Sequence, residues 1–329
     1  VFVGVGFFVE LEVKPQRKVF CCELVTDPFA SQTTTPITDK GKEKEMFIRK
    51  AIQILLVISA FTAVFAQEHD HHALPQVVFK GLDYAFDSPD TIEAGLVTLN
   101  FENVGKEDHH LQLARLNDGV TFEQFMTTLQ TEGEKAYGLL EAVGGVGILQ
   151  PGKSQSVTVN LQKPGLYISL CVLPTAEGIP HLALGMIKPI EVVASDYVVN
   201  TETPKADLKV HMLDFGYDIP TEVNAGKQIW EVFNAGEQPH ELLVGKLKSG
   251  KTISDVLTFL QNGEQGEAPY DFVGGAQGMA TGYSNFVEFD FEPGDYVALC
   301  FIPDPSTGKP HVALGMVRPF SIDEKIAQR

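Results

Sequence analysis

Two histidines, a cysteine and a methionine recur in the same order twice along the chain: His109, Cys171, His181 and Met186, then His240, Cys300, His311 and Met316. Two imidazoles and a thiolate in a trigonal arrangement, with a weak thioether on the axis, suit copper. The soft sulfurs favour Cu(I), and the imidazoles serve both oxidation states. Such a set passes one electron at a time and, with every position filled by the protein, leaves none open for a substrate. Nine residues separate Cys171 from His181, ten separate Cys300 from His311, and four lie between each of those histidines and its methionine. Three donors therefore gather around one loop, and the remaining histidine must come from an earlier strand facing it. Two coppers per chain, one per quartet, are expected.

The quartets sit inside a larger repeat. DYAFDSPDTIEAG (83–95) matches DFGYDIPTEVNAG (214–226), and NVGKEDHHLQLARL (103–116) matches NAGEQPHELLVGKL (234–247), both at an offset of 131. The closing blocks HLALGMIKPI and HVALGMVRPF match at an offset of 130. Short alternating or β-branched runs (LVTLNFENV, SVTVNL, LYISLCV, NFVEFDF, YVALCFI), broken by Gly, Pro and Asn, read as strands. Each repeat also holds one short helix opened by a capping box, Thr121 with Gln124 and Thr252 with Asp255. Many strands and one inserted helix per repeat predict an all-β chain of two tandem Greek-key sandwiches, at 76–194 and 208–322, stacked or hung in tandem across a polar linker at 195–207.

These motifs resemble the cupredoxins, the superfamily of plastocyanin and azurin. FNAGEQPHELL with His240 is similar to the plastocyanin segment that carries the first ligand, and Gly-x-Tyr-x-x-x-Cys occurs as GLYISLC and GDYVALC. The Cys-to-His loops are longer than in the small electron carriers and closer to those of copper nitrite reductases. The resemblance covers nearly all of 76–322. It implies a cupredoxin-like sandwich and a blue copper site in each repeat.

Residues that lie near the quartets need their own assignment. His110 follows His109 directly, and neighbouring strand residues face opposite ways, so only one can reach the metal. Alignment with His240 selects His109 and leaves His110, matched by Glu241, facing solvent or supporting the site from behind. His211 matches Lys80 and reads as structural or exposed. A methionine in a sandwich is ordinarily core packing; the duplicated quartet is what makes Met186 and Met316 ligand candidates. The copper enzymes of this kind place a histidine beside the blue-site cysteine, whereas Cys171 stands between Leu170 and Val172 and Cys300 between Leu299 and Phe301. Neither repeat carries a His-x-His pair. An electron carrier rather than an enzyme is expected, with a copper storage or delivery protein as the alternative.

The segment from Met46 has the parts of an export signal: basic Arg49 and Lys50, an apolar run from Ala51 to Phe65, and a cleavage position after Ala66. Residues 1–45 then read as upstream sequence, 46–66 as the signal, and 67–75 as a His-rich tail in which His69, His71 and His72 could capture Cu(II). Such a chain would be periplasmic or secreted, with no membrane insertion once the signal is removed. Its formal net charge of −18 disfavours nucleic acid and favours cationic partners, and as an electron carrier it is expected to dock redox proteins transiently at a hydrophobic rim near His181 or His311. Cys171 and Cys300, one per repeat, form no disulfide within a domain, and a lone thiol in an oxidising compartment suits a metal ligand.

Overall fold

A computed structural model describes residues 74–195 and 202–323. The chain divides into two units, residues 1–70 and 71–329, and the described residues all belong to the second. The expected leader, the histidines of the tail and residues 196–201 of the linker lie outside the described residues.

Alternation of apolar and polar residues decides which way each strand faces. In the segment Gly95–Asn103, Val97, Leu99 and Phe101 turn inward and are buried, and in its repeat partner Gly226–Asn234 Trp230 and Val232 do the same. The first repeat supplies β1 (Gln76–Leu82), β2 (Ala85–Asp87), β3 (Thr91–Glu93), β4 (Gly95–Asn103), β5 (His109–Leu116), β6 (Leu140–Leu149), β7 (Ser154–Leu161), β8 (Gly165–Leu170) and β9 (Ile187–Val193). The second supplies β10 (Leu208–Leu213), β11 (Gly216–Asp218), β12 (Glu222–Asn224), β13 (Gly226–Asn234), β14 (His240–Leu247), β15 (Tyr270–Met279), β16 (Ser284–Phe291), β17 (Gly294–Leu299) and β18 (Val317–Asp323). Both expected helices form, α1 at Phe122–Glu132 and α2 at Ile253–Gln261, each with its capping box closed. They cover the outer face of the sheet: Phe125 packs with Leu116 and Ile168, and Val256 with Val297 and Leu299. No helix among the described residues is long and apolar enough to cross a membrane.

The two sandwiches do more than stack, because their sheets are continuous. An eight-stranded sheet runs β11-β10-β13-β16-β7-β4-β1-β2, and a ten-stranded sheet runs β12-β18-β17-β14-β15-β6-β5-β8-β9-β3. β16 of the second repeat pairs with β7 of the first, and β15 pairs with β6, both antiparallel. Side chains stitch this seam twice, at matched positions. Asn285 Oδ1 accepts from Gly145 N (3.0 Å) and its Nδ2 donates to Val143 O (3.1 Å), while Gln155 Oε1 accepts from Gly275 N (2.8 Å) and its Nε2 donates to Glu288 O (3.1 Å). Backbone approaches backbone closely here. A Cβ on Gly147 would lie 2.6 Å from the Gly274 carbonyl carbon, so glycine is required at that position. The apolar core correspondingly runs through both repeats as one cluster, which includes Cys171, Met186, Cys300 and Met316.

Candidate metal centres

Each site forms where the mouth of β5 or β14 meets the loop after β8 or β17. His109 and His240 are the first residues of their strands, and Cys171 and Cys300 directly follow the strands that pair with them. The loop returns through a bridge between Pro174 and Pro180, or Pro303 and Pro310, into a short 3-10 turn that begins with His181 or His311. From the turn, Met186 N donates to His181 O (3.0 Å) and Met316 N to His311 O (2.9 Å), and Cys171 N donates to Met186 O (3.1 Å). Both methionines are buried with the cysteines in the same apolar cluster.

In each repeat two imidazoles and the thiol converge with their ligand atoms all within 4.8 Å of one another, every residue buried. His109 Nδ1 and His181 Nδ1 are 3.1 Å apart, with Cys171 Sγ 3.5 Å from the latter. The second site repeats this, with His240 Nδ1 and His311 Nδ1 3.1 Å apart and Cys300 Sγ at 3.3 Å. The outer ring nitrogens fix the tautomers. His109 Nε2 faces Asp83 Oδ1 (2.8 Å), His240 Nε2 faces Asp214 Oδ1 (2.8 Å), His181 Nε2 faces Glu107 Oε2 (3.0 Å) and His311 Nε2 faces Gln238 Oε1 (3.0 Å). Those oxygens only accept, so each Nε2 carries the hydrogen and each Nδ1 presents a lone pair. Two lone pairs then point at each other across 3.1 Å in a dry pocket. A cation between them removes the conflict, and the donor set of two imidazoles and a soft thiol fits copper.

Electrostatics agree with a neutral, metal-ready pocket. Burial lowers the His109 pKa, and the Asp83 hydrogen bond offsets this only in part; His311 falls to about 4 through burial and the neighbouring His240. Burial pushes the Cys171 thiol up to about 12 and the Cys300 thiol well above its ordinary value, so a bound cation must displace a proton from each. Burial also pushes Asp83 and Asp214 upward, but the hydrogen bonds from the histidine and from backbone N–H groups outweigh it and hold both below the usual carboxylate value. The chain makes room for these acids. A Cβ on Gly105 would lie 2.4 Å from Asp83 Oδ1 and 2.6 Å from His109 Nε2, and one on Gly236 would lie 2.5 and 2.6 Å from the matching atoms.

The structure brings together His109, Cys171 and His181, and His240, Cys300 and His311. His110 does not join them. Nor does it face solvent: it is buried, and its Nε2 accepts from Val172 N (3.0 Å), just past the cysteine. Glu241 plays the same part, accepting from Phe301 N at 2.7 Å, with burial raising its carboxyl to about 7. His211 is half exposed beside Asp218 at 3.6 Å. Asp83, Asp214, Glu107 and Gln238 were not singled out from the sequence. The two aspartates open the matched blocks DYAF and DFGY, the one signal that could have found them. The sites are well separated. His109 pairs with Leu149 on β6, whereas His240 reaches β6 through Met279, which pairs with Val143. Three strand spacings across and six residues along a strand put the two histidines about 25 Å apart.

No protein-family model and no curated protein matches the chain. Among solved structures, the chain is similar to a dithionite-reduced auracyanin of Roseiflexus castenholzii at 20% identity, covering 37% of this chain and 98% of that one, with a TM-score of 0.26. A multicopper oxidase matches at 14% identity over 75% of this chain and 88% of that one, TM-score 0.23. A copper-containing nitrite reductase of Thermus scotoductus matches at 15% identity over 76% and 62%, TM-score 0.22. TM-scores this low leave the fold to be read from the chain's own strand order and donor clusters. By those features the described residues form a tandem of two cupredoxin-like sandwiches that share their sheets, each with one candidate copper site.

Proposed function

We propose that the chain is an exported electron carrier that holds two coppers and passes single electrons between protein partners. The observation that carries this reading is the facing pair of Nδ1 lone pairs beside a buried thiol, formed twice from separate stretches of one chain. His109, Cys171 and His181, together with Met186, would hold the first ion, and His240, Cys300 and His311, together with Met316, the second. When bound, copper supplies a one-electron couple. The residues around it supply rigidity. Asp83 and Asp214 orient the strand histidines, Glu107 and Gln238 orient the loop histidines, and burial keeps water out.

Such a site has little use for substrate. With Met186 and Met316 added, the chain's own residues would fill four positions at each site, and the residues on either side of each cysteine in the sequence are apolar, where a second copper centre would call for a histidine. The two sites differ where a charge would matter: a carboxylate, Glu107, faces His181 where an amide, Gln238, faces His311. Their potentials should therefore differ. Voltammetry of the copper-loaded protein should give two reversible one-electron waves, with no catalytic consumption of oxygen or nitrite. Turnover of either at enzyme-like rates would overturn the carrier reading, and absence of any reversible wave would favour storage or delivery.

A further inference from the structure

The two sites share their donors but differ around them, and a group of the differences lies near the His181 and His311 edges. At the first site the Tyr84 ring lies 4.7 Å from the His181 ring. Three apolar residues stand next in the chain to the residues that form that edge. Val104 precedes the glycine packed on Asp83 and His109, Ile179 stands just before Pro180 and His181, and Leu184 precedes Gly185, where a Cβ would lie 3.6 Å from Tyr84 O. All three are between 42% and 52% exposed. The matched residues at the second site are Ala235, Lys309 and Leu314, the last less exposed than Leu184. Charge changes with them: Glu107, Asp108 and Glu177 at the first site become Gln238, Pro239 and Thr307 at the second. Lys106 becomes Glu237 and Thr175 becomes Asp304, while Ile179 becomes Lys309, so the first rim stays the more acidic by one charge.

We propose that this face of the first domain is the docking surface for a cationic redox protein, one whose own centre opens at an apolar spot ringed by lysines. The second site is not its port. Resting on the carrier reading, the inference adds which site meets the partner and what chemistry the partner has. Val104, Ile179 and Leu184 supply a dry centre for a small transient interface, and Glu107, Asp108 and Glu177 supply the steering field. One electron crosses between the partner's centre and the first site; no bond forms and no proton moves.

The test uses stopped-flow oxidation or reduction by a lysine-rimmed c-type cytochrome, with Cys300→Ser protein to isolate the first site and Cys171→Ser protein to isolate the second. Midpoint potentials are measured alongside to correct for driving force. At low salt the first site should react roughly tenfold or more faster than the second, with the advantage shrinking as ionic strength rises. Glu177→Thr with Ile179→Lys, which puts two of the second rim's residues onto exposed positions, should remove much of that low-salt advantage. Equal rates at the two sites, a faster second site, or an unchanged rate in the double variant would overturn the docking surface. If both reversible waves persist in that case, the carrier reading stands without it; if the waves are missing, both fail.

Discussion

Replacing Asp83 by Asn should weaken copper at the first site alone. In the structure Asp83 Oδ1 accepts from His109 Nε2 at 2.8 Å and Oδ2 accepts from Lys106 N at 2.9 Å. An asparagine keeps one acceptor and turns its NH2 toward a donor, so either the histidine or the backbone loses its partner. The lost charge also counts. A unit charge about 5 Å from the Nδ1 position acts with about 3 kcal/mol at an effective dielectric of ~20 and about 1 kcal/mol at ~80. The side chain is 24% exposed, so the effect falls between those limits, which is about 10- to 100-fold in affinity and agrees with the usual cost of losing such a partner. Copper titration against a chromophoric chelator would read it, with the Asp214 site in the same chain as the reference. Sites about 25 Å apart should not couple. Equal weakening of both loading steps, or of neither, would refute the assignment of Asp83.

Other perturbations test the scaffold. Asn285→Ala strands the buried Gly145 N–H and Val143 carbonyl at the seam and should cost roughly 2–5 kcal/mol in chemical denaturation, against near neutrality for an exposed substitution such as Glu123→Gln. In the loop between Cys300 and His311, hydrogen bonds from Thr307 and then Ser306 lower the Asp304 carboxyl from 3.8 to about 2. Its folded pKa is depressed, so its stabilisation is present above pH 3.8 and is lost as pH falls through about 2. Asp304→Asn should flatten that acid limb of a melting-temperature profile; an unchanged limb would remove Asp304 from the loop's support.

The sequence made the inner parts of the sites legible because their chemistry is carried by rare residue types in a duplicated order. Cys171 and His181 could be placed around one loop by spacing alone, and His109 could be preferred over His110 by the repeat. The helices were readable from Thr121–Gln124 and Thr252–Asp255, since a capping box is local. The outer partners were hidden because Asp83 and Glu107 are ordinary surface residue types, lying far from Cys171 in sequence, and only the fold sets them behind a histidine. His110 looked able to face solvent, since alternation puts it opposite His109; the sheet's outer face is covered there, so the opposite side is also buried. The seam escaped for a different reason. Continuous sheets depend on Asn285 and Gln155 reaching across to glycine backbones, and nothing in strand patterning reports what lies at a sheet's edge.

The central claim is that two separate sites of one chain each hold a copper, and metal analysis with a visible spectrum tests it most directly. Protein loaded with copper and freed of excess should hold two coppers per chain and show an intense thiolate-to-copper band, and Cys171→Ser and Cys300→Ser should each remove about half of that band and one copper. A single copper per chain, or a band that survives loss of both cysteines, would contradict the account.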